Sequence, residues 1–220
     1  MSSSFLVVDT TGKSKYPAEA LAHLKGLDVR VEPLRWETEA ELVAGCREAD
    51  LILVTAAYVT REVLEALPEL RAVVRYGVGL DRIDLEAAEE LGVEVANVRG
   101  FCTNEMADHA LGLILACSRR IVDDAMRVRA GGYGHDRGQR VLRLAGGTAG
   151  IIGFGAIGQA LAWRLRAMDM TVVAHDPYAD GAQAQATDVR LVELDELLRE
   201  ADIVSVHCSL TDETRGLIGH

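Results

Sequence analysis

Thr148-Ala-Gly-Ile-Ile-Gly153-Phe-Gly155-Ala156-Ile157-Gly158, an apolar helical run, and then Thr171-Val-Val-Ala-His-Asp176-Pro177-Tyr178 form the stretch on which the fold turns. A β-rich run enters a glycine turn, the turn opens a helix, and a second β-rich run ends in an acid about 18 residues past the last glycine. A lone Gly-x-Gly-x-x-Gly is a weak signal; between a strand and a helix, with an acid at this spacing, it predicts a dinucleotide site. Gly153 permits the tight turn, Gly155 lets backbone N–H groups approach a pyrophosphate, and Gly158 lets helix and strand pack closely. The phosphates then meet a helix N-terminus, where unpaired N–H groups and the macrodipole favour negative charge. Asp176 is placed to accept hydrogen bonds from the adenine-side ribose. The plain alternative is a glycine turn in some other α/β protein.

Upstream, short β-branched runs alternate with helical ones, the pattern of a parallel sheet layered with helices. Strands are expected at 5–9, 29–33, 51–55, 71–76 and 93–98, with helices at 17–25, 37–48, 60–67 and 84–91. Thr60 or one of its neighbours is read as the cap and Pro68 as a stop. These five strands make a small doubly wound domain over residues 1–100. One long helix is expected from Thr103 to Arg129, its first half apolar nearly all round and so deeply buried, with His109 on that face as a core histidine. Gly131-Gly-Tyr-Gly-His then breaks it. After residue 147 four strands are counted (148–152, 171–174, 189–192, 203–206) where a complete dinucleotide fold has about six. Arg47-Glu-Ala-Asp-Leu-Ile-Leu-Val-Thr55 resembles Arg199-Glu-Ala-Asp-Ile-Val-Ser-Val-His207, a repeat too short to establish duplication.

At 220 residues and 49% hydrophobic, with mean hydropathy +0.11, the chain has material for a sizeable core. Its 23 basic and 34 acidic residues give a net charge of −11, which argues against nucleic acid and anionic membrane as partners. Met1-Ser-Ser-Ser runs straight into a strand without a basic, apolar leader, and a cytoplasmic protein is expected. Cys46, Cys102, Cys117 and Cys208 form no CxxC pair and the histidines no HxxxH, so no metal site is expected.

Several blocks in register resemble the D-isomer-specific 2-hydroxyacid dehydrogenases, a family that includes phosphoglycerate and formate dehydrogenases and the C-terminal-binding proteins. They are Arg75-Tyr-Gly77-Val78-Gly79-Leu-Asp81, Asn97-Val-Arg-Gly-Phe-Cys-Thr103, Glu105-Met-Ala-Asp108-His-Ala-Leu-Gly-Leu-Ile-Leu, the glycine turn with Asp176-Pro177-Tyr178, and His207-Cys-Ser-Leu-Thr211-Asp-Glu-Thr214-Arg-Gly-Leu-Ile218. The spacer Arg143-Leu-Ala-Gly-Gly-Thr148 and the Asp-Pro-Tyr lean toward the C-terminal-binding-protein-like branch.

The resemblance implies an α/β protein with a flavodoxin-like, substrate-binding domain at 1–100. It implies an incomplete Rossmann NAD-binding domain at 101–220 that includes the 103–129 helix. The implied activity is an NAD-dependent oxidation of a small D-2-hydroxy acid, or reduction of the 2-oxo acid, by a cytoplasmic homodimer paired through the NAD-binding domain. Gly77, Val78 and Gly79 would offer N–H groups to the substrate carboxylate, with Asn97 beside them, although Gly77 alone reads equally as part of a plain turn. Thr103, Gly153, Gly155, Ala156, Ile157, Gly158, Asp176, Pro177, Tyr178, Cys208, Ser209 and Thr214 would hold the cofactor. Cys208 reads as well as a small buried residue, and His207 as structural. Ala156 stands where the family often has Arg or Lys, and Arg99 where it usually has proline. The family's catalytic arginine, glutamate and histidine are expected beyond residue 220, so no catalytic residue is assigned here. An NAD(H)-responsive regulatory protein of the C-terminal-binding-protein type and an inactive truncated remnant stay open as alternatives.

Overall fold

The computed structural model describes residues 4–12, 22–133 and 141–219. The chain divides into two compact units, Met1–Phe101 and Cys102–His220.

The first unit holds strands β1 (Phe5–Asp9), β2 (Val29–Pro33), β3 (Leu51–Val54), β4 (Ala72–Arg75) and β5 (Glu94–Asn97). All pair in parallel, in the order β2-β1-β3-β4-β5. This is the flavodoxin-like order, in which the chain reverses its direction of travel beside β1. Helices α1 (Glu39–Cys46), α2 (Arg61–Glu65) and α3 (Leu85–Glu90) connect them. Each begins where a short polar side chain takes up an orphan amide: Thr38 accepts from Glu41, Thr60 from Val63 and Asp84 from Ala87. Leu42, Ile52, Val54, Val63 and Val73 form the centre of the core, each 1% exposed or less. The helix expected at 17–25 lies largely outside the described residues.

The second unit holds β6 (Thr148–Ile152), β7 (Thr171–His175), β8 (Arg190–Leu191) and β9 (Ile203–Val206) in the all-parallel order β8-β7-β6-β9. Counted from β6, that is 3-2-1-4, the order of the first four strands of a dinucleotide-binding sheet. Four residues of β6 are buried, as a parallel strand covered on both faces requires. Val204 and Val206 on the outer strand β9 are 37% and 50% exposed.

The long helix expected at 103–129 is two helices, α4 (Thr103–Arg119) and α5 (Ile121–Arg129). Arg120 between them is left-handed, at φ 55°, and ends α4 by sending its N–H to the Ala116 and Cys117 carbonyls. Its side chain then pairs with Asp123 in the first turn of α5. The first half is also less buried than expected: Ala107, Ile114 and Ser118 are covered, Leu113 is 55% exposed, and His109 is exposed rather than a core residue. Remaining helices are α6 (Ala156–Arg166), α7 (Gly181–Ala186) and α8 (Leu194–Glu200). Arg164 of α6 fastens α4 by donating to Asp108 at 2.6 Å and Asn104 at 3.2 Å.

The short repeat has a physical counterpart. Asp50 accepts the Leu6 N–H at the start of β1 and donates its own N–H to the Leu6 carbonyl. Asp202 does the same with Thr148 at the start of β6, with both carboxylate bonds 2.8 Å long. Each acid begins the crossover strand that pairs with the first strand of its own sheet, and satisfies an amide otherwise without a ladder partner.

Candidate functional site

In the first unit the predicted substrate residues gather at the carboxyl ends of β4 and β5, where open α/β sheets bind ligands. Asn97 Nδ2 donates to the Val78 carbonyl at 2.6 Å, and Val98 N–H to the Gly77 carbonyl at 3.0 Å, so the end of β5 braces the 77–79 turn. Arg75 reaches under the turn, donating to the Gly79 carbonyl at 3.3 Å and to that of Thr55. One expectation needs correction: the Gly77 N–H bonds the Arg75 carbonyl at 2.9 Å and is not offered outward. Arg99 approaches the same corner, 3.4 Å from Asn97 Oδ1.

In the second unit the glycine turn is shaped by what each position meets. Gly153 sits at φ 92°, and a Cβ there would lie 2.4 Å from the Cys208 nitrogen, inside any tolerable contact. The constraint is therefore the close passage of the chain leaving β9, as well as the turn itself. At Gly158 a Cβ would lie 2.3 Å from the Gly153 carbonyl oxygen, which confines this one position in the first turn of α6 to glycine. Gly155 differs: it is exposed, and apart from its own chain neighbours nothing lies within 4 Å of where its Cβ would stand. A side chain here would stand in open space at the start of α6.

Gly155 caps α6 with no side-chain hydrogen bond, and no acid stands in the first turn of this 11-residue helix. The amides of Ala156, Ile157 and Gly158 are the first of α6 and have no intrahelical partner. Phe154 anchors the turn from below: its ring is 2% exposed in the core, its carbonyl takes the Gln159 side-chain amide, and its N–H goes to Asp176 Oδ2 at 2.8 Å. The other oxygen of Asp176 accepts the Tyr178 N–H at 2.9 Å. The acid is thus oriented by two backbone donors while each oxygen keeps a free lone pair.

These groups open on a cavity of about 700 Å³ that brings together Gly153, Gly155, Asp176, Pro177, Tyr178, Cys208, Ser209 and Thr214. Ala156, Ile157 and Gly158 adjoin it from α6, and Thr103 begins α4 elsewhere in the unit. The far wall is a self-closed loop, in which the Thr214 hydroxyl accepts the Thr211 N–H and donates to the Ser209 carbonyl at 2.6 Å. Cys208 is half-buried, its N–H on the Ile152 carbonyl. Burial lowers the His207 pKa, and its Nε2 lies 2.9 Å from Ser205 Oγ. Glu213, to which the sequence motifs assign no role, lines the same cavity and accepts the Tyr178 hydroxyl at 2.8 Å.

Residues 111–220 match the family model for the NAD-binding domain of D-isomer-specific 2-hydroxyacid dehydrogenases. The chain belongs to the D-2-hydroxyacid dehydrogenase family. A D-3-phosphoglycerate dehydrogenase of Mycobacterium bovis is 42% identical over 181 residues, which cover 81% of this chain and 34% of that protein. A solved protein of Thermus thermophilus superposes with a TM-score of 0.81 at 36% identity, covering 97% of this chain and 68% of that one. The Aquifex aeolicus D-lactate dehydrogenase, solved with NAD and lactic acid, is 26% identical with a TM-score of 0.79, covering 95% of this chain and 62% of its own. The chain spans about a third of the length of the phosphoglycerate dehydrogenase it matches.

NAD is the cofactor of this domain. The residues fit it: an uncovered glycine at a helix N-terminus suits a pyrophosphate, a strand-end carboxylate suits ribose hydroxyls, and the cavity between them has the size of a cofactor pocket. Among the described residues, no helix is long and apolar enough to cross a membrane.

Proposed function

We propose that this chain supplies the substrate-binding unit and the dinucleotide-holding half of an NAD-dependent oxidoreductase acting on a small D-2-hydroxy acid or its 2-oxo counterpart. The observation that carries the reading is the pairing of the open Gly155 turn with the Asp176 carboxylate across one cavity. When bound, NAD supplies the hydride-carrying carbon of its nicotinamide. The first-turn amides of α6, Ala156, Ile157 and Gly158, hold the pyrophosphate. Asp176 accepts the ribose hydroxyls. Pro177, Tyr178, Cys208, Ser209 and Thr214 wall the adenosine, and Thr103 faces the cofactor.

In residues 1–100, the substrate domain of this reading, the Val78 and Gly79 amides take the substrate carboxylate. Asn97 holds that turn in shape through the Val78 carbonyl. No proton-transferring residue is assigned among these residues. The protein works in the cytoplasm as a homodimer through its NAD-binding domain. Support for pairing comes from apolar side chains left open on α4 and α5, where Leu113, and Val122 and Met126 one turn apart, are each more than half exposed.

Titration of the protein carrying this chain with NADH, followed by NADH oxidation with a panel of 2-oxo acids, tests the reading. Saturable NADH binding and turnover with at least one acid are expected. No binding of either nicotinamide nucleotide would sink it. Light scattering tests the dimer separately.

A further inference from the structure

Tyr178 is tied at both ends. Its N–H goes to Asp176 Oδ1 at 2.9 Å and its hydroxyl to Glu213 Oε2 at 2.8 Å, so one residue links two carboxylates that line the same cavity. The link crosses from the loop after β7 to the loop after β9, 35 residues apart in sequence. Glu213 has a fixed base for this contact. It stands in the turn that Thr211 and Thr214 close by exchanging backbone and hydroxyl bonds.

The charge around the cavity is one-sided. Asp176, Asp212 and Glu213 are among its described lining residues, and no lysine or arginine is. Arg215, the cation next along the chain, lies 3.7 Å from Asp212. Position 156 adds no cation either, being alanine. Asp176 spends part of its field on two backbone amides, Phe154 and Tyr178. Glu213 is exposed and accepts the Tyr178 hydroxyl, and that hydrogen bond raises the Tyr178 pKa.

We propose that Glu213, held at the cavity rim by the Tyr178 hydroxyl, is a second determinant of cofactor choice that rejects the 2′-phosphate of NADP(H). Selectivity of this kind needs a repulsive element against the wrong ligand as well as contacts to the right one. A 2′-phosphate dianion beside Asp176 would find a second carboxylate, not a counter-charge. NADH, with hydroxyls only, loses nothing from it. Tyr178 is then a positioning residue that keeps the carboxylate at the rim instead of free in solvent. The inference rests on the reading that this cavity takes NAD.

The test is fluorescence titration of the protein carrying this chain with NADH and NADPH, at low salt and at high salt. The quantity read is the ratio of the two dissociation constants. Glu213→Gln should lower the NADPH-to-NADH ratio about threefold to tenfold at low salt, mostly by tighter NADPH binding, and the gain should shrink as salt screens the exposed charge. Glu213→Lys should move it further in the same direction. Tyr178→Phe should give a smaller shift that does not add to that of Glu213→Gln, because both act through one carboxylate. A ratio unchanged within about twofold in both Glu213 variants, with wild-type thermal stability, would overturn the role of Glu213 while leaving NAD binding intact. Failure of the unmodified protein to bind either nucleotide would overturn this inference together with the proposed function.

Discussion

The Asp176 carboxylate accepts the Phe154 N–H at 2.8 Å, so the acid at the end of β7 holds the centre of the glycine turn that follows β6. The same oxygen pair orients the Asp176-Pro177-Tyr178 corner through the Tyr178 N–H. A residue expected to touch ribose is also a brace between two loops. Binding energy is gained here by having the acceptor already in place.

Asp176→Ala should therefore act twice. NADH binding should weaken by about 1.5–3 kcal/mol, the scale of hydrogen bonds to a charged group, and the protein should lose about 1–2 kcal/mol of stability from the two stranded amides. Asp176→Asn should recover only part, since its amide nitrogen cannot accept a backbone N–H. Calorimetric titration and chemical denaturation check the two effects separately. Unchanged stability in Asp176→Ala would mean the brace is idle.

Two glycines of one motif should fail in different ways. Gly153→Ala puts a methyl 2.4 Å from the Cys208 backbone at φ 92°, and should cost about 2–4 kcal/mol of stability. Gly155→Ala meets nothing within 4 Å beyond its chain neighbours and has an ordinary φ of −73°, so its melting temperature should stay near wild type. Its NADH affinity should nonetheless fall about tenfold or more, because the methyl occupies the approach of the pyrophosphate. Thermal melts with NADH titrations distinguish the two, and equal melting losses would refute the contrast.

Asn97→Ala removes the donor to the Val78 carbonyl, and the side chain is exposed enough that stability should change by less than about 1 kcal/mol. The effect should fall on the anion turn. In the protein carrying this chain, KM for a 2-oxo acid is expected to rise about tenfold, as for a lost hydrogen bond of ordinary strength, while the dissociation constant of NADH stays put. A parallel loss of NADH affinity would place Asn97 elsewhere than in the substrate turn.

Cys46 is fully buried, and desolvation raises its thiol from 9.0 to about 11. At pH 8 a thiol reagent should label exposed Cys117 quickly and leave Cys46 untouched until the protein unfolds. The pH dependence follows from proton binding. Between about pH 9 and pH 11 the folded thiol keeps a proton that the unfolded one releases, so stability should fall as pH rises through that window, by about 2–3 kcal/mol in full. Cys46→Ala should flatten this alkaline slope in pH-dependent denaturation. An identical slope would assign it to other groups.

Local chemistry made much of the architecture readable. Thr60 and Asp84 announce helix starts because a short side-chain acceptor beside an apolar run satisfies an orphan amide in any fold. Runs such as Ala149 to Ile152 announce buried parallel strands because both faces must be apolar. The break at Arg120 was not readable, since nothing in Arg-Arg-Ile-Val forbids a continuous helix and the left-handed residue is not a glycine. His109 was misplaced for a related reason. Periodicity identifies an apolar face without saying whether another element covers it.

By itself, then, the sequence determined two parallel α/β units, the dinucleotide turn and the acid that serves it, because those features depend on residue type at fixed spacing along one strand–turn–helix unit. Only the tertiary structure decided that Gly153 must yield to the Cys208 backbone and that Asp50 and Asp202 hold equivalent strands. It also decided that the Gly77 N–H is already taken and that Glu213 shares a cavity with Asp176. Each of these joins segments distant in the chain or depends on a turn's exact path. Their contact exists only once the parallel sheets have brought the strand ends side by side.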